Sequence, residues 1–310
     1  MCFTDVPKIK DEIRKVLVQI MNFQWYPGHM TKAKRQMQED IKLIDIVVEI
    51  VDARIPISSK NPDIDELAKN KYRLIIFNKI DLADPKETAK WENYYKEKGF
   101  HTIQVNSKSG QGMKNVTGVI QEACKEKIER DRKRGILNRP IRAMIVGIPN
   151  VGKSTFINSF VKKACAKTGN KPGVTKGKQW IRMNKNIELL DTPGILWPKF
   201  EDQRVGLRLA FIGSIKEEIL NVTELSMELI DFLCHNYSNI LNQRYGVDET
   251  RKKAEILEEI AVNRQCRLKG NQLDYDKAAG ILMDEFRSGK LGAITLEFVN
   301  KEENTNSETV

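Results

Sequence analysis

Short, nearly continuous apolar runs recur along the first two thirds of the chain. They begin within residues 43–56 and continue at 72–77, 101–105, 141–147 and 187–191, with 179–183 as a weaker sixth. Such runs are typical of parallel strands that are covered on both faces. Segments with helical periodicity lie between them, at 32–42, 62–70, 86–98, 113–133 and 154–162. This alternation predicts an α/β fold with a doubly wound, mostly parallel sheet.

The pattern changes after about residue 200. Residues 205–300 have helical periodicity without a convincing strand, so we expect a smaller all-α C-terminal domain after a sheet domain at 22–204. Residues 301–310 are polar and predicted to be disordered. Residues 1–21 are expected to be an N-terminal extension, either an appended amphipathic helix or sequence upstream of a start at Met21, and they carry no functional motif. No apolar run reaches the roughly 18 residues of a membrane span, so no membrane segment is expected.

Composition adds a preference for a polyanionic partner. Lys and Arg number 52 against 42 Asp and Glu, and the formal net charge is +10. This balance favours nucleic acid, although a basic protein without such a partner remains an alternative. The five cysteines are scattered without a CxxC pair, which argues against a cysteine metal site and is typical of reduced thiols. We therefore expect a cytoplasmic protein.

The segment "GIPNVGKST" (147–155) predicts a phosphate cradle. It fits GxxxxGK[ST], and it follows a predicted strand and precedes a predicted helix, which is the context the motif requires. Backbone N–H groups would wrap the phosphates, Lys153 would reach the β and γ oxygens, and the Ser154 hydroxyl would ligate Mg²⁺. A chance glycine turn is the alternative. The expected nucleotide contacts are Asn150, Val151, Gly152, Lys153, Ser154 and Thr155.

A base-reading motif, "NKID", precedes the cradle and follows the strand at 72–77. The Asp81 carboxylate can accept hydrogen bonds from guanine N1–H and the 2-amino group. Adenine lacks that pair of donors, so ATP would leave a buried carboxylate unpaired. The Lys79 stem can lie along the base, and Asn78 can tie this loop to the cradle. The expected contacts here are Asn78, Lys79, Ile80 and Asp81.

The next predicted strand leads into "VNSKSGQG" (105–112), which resembles the VSAKTGxG loop of GTPases. By that alignment the Ser107 N–H would meet guanine O6, with Asn106 and Lys108 on either side. Asn106 stands where serine is usual, so the role of its side chain stays open.

Two segments after the cradle predict the switches. In "DTPG" (191–194), Asp191 would hold the Mg²⁺ shell and the Gly194 N–H would touch the γ-phosphate. In "TGNKPGVTKG" (168–177), Thr175 would bond Mg²⁺ as the switch threonine, and Thr168 is the rival candidate. A polar Gly-Pro loop without a nucleotide role is the alternative for this segment.

The base reader thus precedes the cradle, whereas the usual guanine-nucleotide fold begins with the cradle. A sheet depends on which strands are neighbours, so the chain ends can move between surface loops if the old ends are joined. Residues 113–139 would form that join. We therefore expect one complete site.

This arrangement, with "DARIP" and "NKID" early and "GIPNVGKST" late, resembles the circularly permuted GTPases. "WYPGHMTKAKR" and "DTPGILWPKFED" make residues 22–300 resemble the YlqF-like ribosome biogenesis GTPase A family. The resemblance implies a GTPase that is stimulated by the large ribosomal subunit and assists its late assembly. It also implies rRNA binding by the C-terminal domain, no DNA specificity, and a monomer off the ribosome.

The resemblance implies two further residue roles. Ras-like proteins orient the attacking water with a glutamine after the DxxG glycine, but Ile195 stands there and cannot polarise water. His29 in "YPGHM" is the candidate instead, and contact with RNA or capping of a turn is the alternative. Asn150 matches the asparagine that helps to seat K⁺ in potassium-activated GTPases, and an asparagine that merely shapes the loop is the alternative.

Other functions remain open at this point. The protein could be a GTP-gated RNA clamp whose hydrolysis is a slow timer, or a GTPase that acts on tRNA or on a protein partner. The basic residues are candidate RNA contacts or solvated helix faces. They are Lys32, Lys34 and Arg35 beside Trp25 and Tyr26, and the runs "KEKIERDRKRG" and "TRKKAE". Because the helical domain begins shortly after Gly194, we expect nucleotide state to set its orientation.

Overall fold

The protein is seen in a computed structural model. It describes residues 28–137, 139–161, 179–183, 185–194, 196–197, 202–215 and 221–299. The described residues form two compact units, of which one comprises those up to 197 together with 293–299 and the other comprises 202–292. The predicted extension at 1–21 and tail at 301–310 lie outside the described residues.

The first unit is built on a six-stranded sheet within the described part of the chain. Its strands are β1 Ile46–Asp52, β2 Tyr72–Asn78, β3 His101–Gln104, β4 Ile141–Val146, β5 Gln179–Arg182 and β6 Ile187–Asp191. Their spatial order is β3-β2-β1-β4-β6-β5. All neighbours are parallel except β5, which runs antiparallel to β6. The predicted mostly parallel α/β sheet is confirmed.

The helices of this unit follow the predicted periodic segments. They are α1 Gly28–Asp40, α2 Asp63–Leu67, α3 Pro85–Glu97, α4 Val116–Ala123, α5 Lys125–Lys133 and α6 Lys153–Val161. Local signals set the start of α3, since the Asp84 side chain accepts a hydrogen bond from the Lys86 N–H at 2.7 Å and Pro85 occupies the first turn. The helix predicted over 113–133 is interrupted, because Cys124 has a non-helical backbone between α4 and α5.

The two central strands, β1 and β4, lie side by side. From β1 the chain continues outward to β2 and β3, and β6 and β5 lie on the other side of β4. In open α/β sheets, ligands bind outside the carboxyl ends of the strands at the point where the strand order reverses. The chain between β3 and β4 carries α4 and α5, so it returns from the edge strand to the centre, as expected for the join.

Every position of β1 is buried, including Glu49 in the middle of the apolar run. A buried carboxylate needs a partner, because its desolvation is costly. Glu49 pairs with Arg73 of β2 and lies 3.8 Å from the Lys60 ammonium. Burial lowers the pKa of Arg73 to about 10. This ion pair allows a charged residue inside a strand that otherwise reads as continuously hydrophobic.

The second unit is helical in its described residues. It contains α7 Gln203–Phe211, α8 Val222–Asn236, α9 Ile240–Tyr245, α10 Lys253–Asn263 and α11 Tyr275–Ser288. Glu285 of α11 accepts hydrogen bonds from Arg244 Nε and the Tyr245 hydroxyl, both at 2.8 Å. The hydrogen bonds from Arg244 are the main reason that the pKa of Glu285 falls to about 2. This carboxylate therefore joins α9 to α11.

The end of the chain differs from the sequence expectation, which extended the helical domain to residue 300. Residues 293–299 instead belong to the first unit. Ile294 and Leu296 are buried there, and their backbone N–H groups donate to loops that follow β1 and β2. Helical periodicity upstream carries no information about this long-range contact. Among the described helices, none has the length and hydrophobicity needed to cross a bilayer.

Candidate nucleotide-binding site

The Asn78 side chain joins three predicted nucleotide-binding segments. Asn78 ends β2 and is only 2% exposed. Its Nδ2 donates to the Val151 carbonyl of the cradle at 2.8 Å. Its Oδ1 accepts from the Ser107 N–H at 3.1 Å and from the Ser107 hydroxyl at 2.8 Å. The structure thus brings together the base reader, the cradle and the 105–112 loop, although the chain order is reversed.

Lys79 forms a second bridge from the base reader to the cradle. Its backbone is left-handed, with φ at 60°, and its ammonium donates to the Asn150 carbonyl at 2.5 Å. The same ammonium lies 3.0 Å from Asp52 Oδ2. Burial lowers the pKa of Lys79, and the charge of Asp52 partly offsets that effect. The stem of Lys79 is therefore held between two loops.

Asp52 and Arg54 of "DARIP" also lie at the candidate site, where Asp52 contacts Lys79. Arg54 donates to both carboxylate oxygens of Asp52, from Nε at 2.9 Å and from Nη2 at 2.8 Å. Burial alone would raise the pKa of Asp52, but the positive charges of Arg54 and Lys79 hold it well below its usual range. The signal available in the sequence was an ionisable residue at the end of a buried strand.

Lys153 of the cradle and Asp191 at the end of β6 form a buried ion pair. The Lys153 ammonium lies 2.5 Å from Asp191 Oδ1, and burial lowers the pKa of Lys153. Asp191 is 1% exposed, and its Oδ2 has no hydrogen-bond partner among the described residues. A buried carboxylate oxygen without a hydrogen-bond partner on β6, the strand next to β4, with Ser154 in the first turn of α6, fits the oxygen ligands that Mg²⁺ prefers.

Two glycines allow the loops to approach each other. Gly152 has φ at 91°, and a Cβ there would lie 2.4 Å from Asn78 Nδ2. A Cβ on Gly194 of "DTPG" would lie 3.2 Å from the Pro149 backbone nitrogen. Glycine is needed where a backbone is left-handed or closely approached. The cradle is therefore packed against the base reader on one side and the "DTPG" loop on the other.

The 105–112 loop is organised by Asn106. Its Oδ1 accepts from the Lys108 N–H at 2.9 Å and from the Ser109 N–H at 3.1 Å. The Asn106 side chain therefore stabilises the backbone of this loop. This is a structural role for a side chain whose function the sequence left open. The Ser107 N–H, expected to meet guanine O6, donates here to Asn78.

Of the other predicted site residues, the structure describes some and leaves others outside the described part of the chain. Asp81 is exposed, and no described residue donates a hydrogen bond to its carboxylate, so both oxygens are available to a base. Asn150 has φ at 64°, a conformation that asparagine tolerates better than most residues. That backbone supports the loop-shaping alternative without testing a potassium site. His29 lies in α1. Thr175, Thr168, Ile195, Trp25 and Tyr26 lie outside the described residues.

Comparisons with known proteins match this chain to GTPases that are named for the ribosome. Residues 142–264 match the model of a family described as 50S ribosome-binding GTPase. The protein named ribosome biogenesis GTPase A from Bacillus cereus is 50% identical over 278 residues, which cover 89% of this chain and 94% of that protein. Its namesake from Thermotoga maritima is 31% identical over 273 residues, covering 88% and 93%.

A solved structure described as GDP-bound YlqF, labelled TM, is also similar. It covers 86% of this chain and all of that chain (100%), with a TM-score of 0.62 and 27% identity. The matched family model begins at residue 142, within the strand that leads into the cradle. It therefore does not include the base reader at 78–81, as expected if that segment has moved to the other side of the cradle in chain order.

Alanine at position 152 tests the close approach of the cradle to Asn78. Gly152→Ala places a Cβ against Asn78 Nδ2 and imposes a left-handed backbone on alanine, so GDP affinity should fall at least about tenfold, or about 1.4 kcal/mol. Fluorescence titration with a labelled GDP measures it. Gly118→Ala in α4 is the control, since its Cβ meets nothing within 4 Å. Equal affinity of the two variants would contradict the inferred site.

Proposed function

The chain belongs to the ribosome biogenesis GTPase A family, and we propose that its GTP hydrolysis serves a late step in the assembly of the large ribosomal subunit. The observation that carries the proposal is the 50% identity with a protein of that name across nearly the full length of both chains. The family resemblance inferred from the motifs is thereby confirmed, as is the assignment of a GTPase. The late step and the large-subunit precursor as partner are the proposed part.

In the proposed site, Asp81 reads guanine and the backbone of residues 150–155 wraps the phosphates. Lys153 must exchange partners when the triphosphate enters, because its ammonium pairs with Asp191 in the described structure. Transfer of that ammonium to the β and γ oxygens frees the Asp191 carboxylate. Asp191, Ser154 and Thr175 would then hold Mg²⁺, which neutralises charge on the phosphates.

The charge distribution supports an rRNA contact on α5. Arg130, Arg132, Lys133 and Arg134 are exposed, and no described carboxylate forms an ion pair with any of them. By contrast, in "TRKKAE" the Arg251 guanidinium lies 2.7 Å from Glu259 and the Lys253 ammonium 2.6 Å from Glu228. A cation that already pairs with a carboxylate neutralises phosphate less effectively, so it displaces fewer counterions from a polyanion. The end of α5 is therefore the stronger candidate.

The helical unit offers a second, smaller candidate surface for rRNA. Arg267 and Lys269 are exposed on either side of Leu268, which is 52% exposed. They lie in the turn between α10 and α11. No described carboxylate pairs with either cation, which supports the proposed RNA-binding role of this unit.

The central test is GTP turnover in potassium buffer with and without purified large ribosomal subunits. We expect the subunits to raise turnover at least about tenfold, which corresponds to about 1.4 kcal/mol of barrier, and the protein to co-sediment with large-subunit precursors. Stimulation by tRNA, or unchanged turnover together with no co-sedimentation, would favour the other functions. Co-sedimentation without stimulation would indicate a GTP-gated clamp.

His29 is proposed to orient the attacking water, because Ile195 occupies the position after the DxxG glycine and cannot do so. His29→Ala should abolish most of the subunit-stimulated turnover, since general acid–base groups typically contribute at least about a hundredfold. GTP affinity should stay close to that of the unmodified protein. Stimulated turnover at the normal rate would remove His29 from the reaction, and loss of co-sedimentation alone would assign it to RNA contact.

Asn150 is proposed to help seat K⁺ beside the phosphates, where the cation would supply charge in the transition state. Turnover should then fall several-fold when Na⁺ replaces K⁺ at equal ionic strength. Asn150→Gly keeps access to the left-handed backbone and should remove the difference between the two cations. Equal turnover in K⁺ and Na⁺ for the unmodified protein would leave Asn150 with the loop-shaping role alone.

We also propose that nucleotide state is coupled to the helical unit through the short connection after "DTPG". Small-angle scattering of the GDP and GTP-analogue forms tests this coupling, and indistinguishable shapes both free and on the large subunit would contradict it. The proposed role implies a cytoplasmic protein that is a monomer off the ribosome.

A further inference from the structure

A short segment near the C-terminus is buried against the nucleotide-binding unit. Ile294, Thr295, Leu296 and Glu297 are each at most 1% exposed. We call residues 294–297 the C-terminal strap. They follow the helical unit, which ends at Gly292, so the chain enters that unit after the "DTPG" loop and leaves it directly into the strap.

One set of strap contacts holds the loop that carries Asp81. The Ile294 N–H donates to the Leu82 carbonyl at 2.9 Å. The Thr295 hydroxyl oxygen accepts from the Asp84 N–H at 3.0 Å. Leu82 is the residue after Asp81, and Asp84 is the N-cap of α3. The backbone that leads away from the guanine-reading carboxylate is therefore fixed at two points by the strap.

The other set of contacts holds the loop after β1. The Leu296 N–H donates to the Arg54 carbonyl at 2.8 Å. The buried Glu297 carboxylate accepts from the Ile57 N–H at 2.7 Å and from the Ser58 N–H at 3.0 Å, and also from the Ser58 hydroxyl. A buried carboxylate with several charge-assisted hydrogen bonds is a strong and geometrically specific anchor. It fixes the strap firmly to this loop.

The loop after β1 is itself connected to the base reader. Arg54 pairs through its side chain with Asp52, and Asp52 lies 3.0 Å from the Lys79 ammonium. Lys79 in turn donates to the Asn150 carbonyl of the cradle. The strap therefore contacts the loop that carries Asp81 directly. It also contacts the loop after β1, which is linked to Lys79 through Arg54 and Asp52.

We propose that the C-terminal strap positions the guanine-reading loop, and that guanine-nucleotide affinity and release depend on it. A carboxylate that must meet two donors of one base needs a supporting shell that holds its backbone in place. Loops without such support open more readily. Because the strap continues directly from the helical unit, a pull on residue 293 would act on the base reader, which is a different route from the connection after "DTPG".

Thr295→Val tests this role, because valine keeps the shape of threonine but cannot accept the hydrogen bond of the Asp84 N–H. The release rate of a fluorescent GDP should rise about fivefold, the factor typical of one lost hydrogen bond. KM for GTP should rise while kcat at saturating GTP stays unchanged. Thr295→Ser retains the acceptor and should release GDP at the rate of the unmodified protein.

Thr102→Val is the matched control in the same unit. The Thr102 hydroxyl donates to Glu92 at 3.1 Å, and this hydrogen bond involves neither the base reader nor the strap. Its GDP release rate should stay normal. If Thr295→Val also released GDP at the normal rate, or if both valine variants released it equally fast, the strap would have only a structural role.

Hydrogen exchange on the unmodified full-length protein provides a second test that does not depend on how a variant folds. Addition of GDP should slow exchange of the Ile294 and Leu296 amides, because occupancy of the base reader stabilises the loops to which they donate. Unchanged protection of both amides on GDP binding would contradict the proposal. These measurements need no ribosome, so their outcome is independent of whether the protein acts in subunit assembly.

Discussion

The candidate nucleotide site depends on the hydrogen bonds of a single buried amide, the side chain of Asn78. Asn78 donates to the cradle at Val151 and accepts from the 105–112 loop at Ser107. A buried primary amide offers both donors and acceptors, so it can join loops that bring opposite needs. Replacing either half of this amide would leave a buried backbone or hydroxyl group unpaired, which costs more than the bond itself contributes. Gly152 is the complementary constraint, because only a residue without a Cβ lets the cradle approach Asn78.

The buried charged side chains around this amide form ion pairs. Asp52 is paired with Arg54 and Lys79, and Lys153 with Asp191. Such buried charges are tolerated because each has a partner. The two groups differ in what a nucleotide would do to them. The Lys153–Asp191 pair lies where phosphate and Mg²⁺ are proposed to bind, so both residues would exchange partners. Asp52 and Arg54 support the base reader and would stay paired with each other.

The reordered chain also changes how the two units are linked. The cut that places "NKID" before the cradle puts the "DTPG" loop just ahead of the helical unit, while the strap returns from that unit to the base reader. The helical unit is therefore connected along the chain to the "DTPG" loop at its start and to the strap at its end, and the strap is hydrogen-bonded to the loop that follows β2.

Local patterns were sufficient for much of this molecule. Apolar runs such as "IVVEIVD" and "IRAMIV" identified buried strands, because a strand that is covered on both faces needs an apolar residue at nearly every position. The cradle and "NKID" were readable because their chemistry requires particular residues at short spacing. The pairing of Asp52 with Lys79, the role of Asn106 and the strap were not readable, since each depends on which distant residue arrives as a neighbour. Glu297 illustrates the limit, for in the sequence it is one acidic residue near a polar tail, and the loop that donates to it lies some 240 residues away.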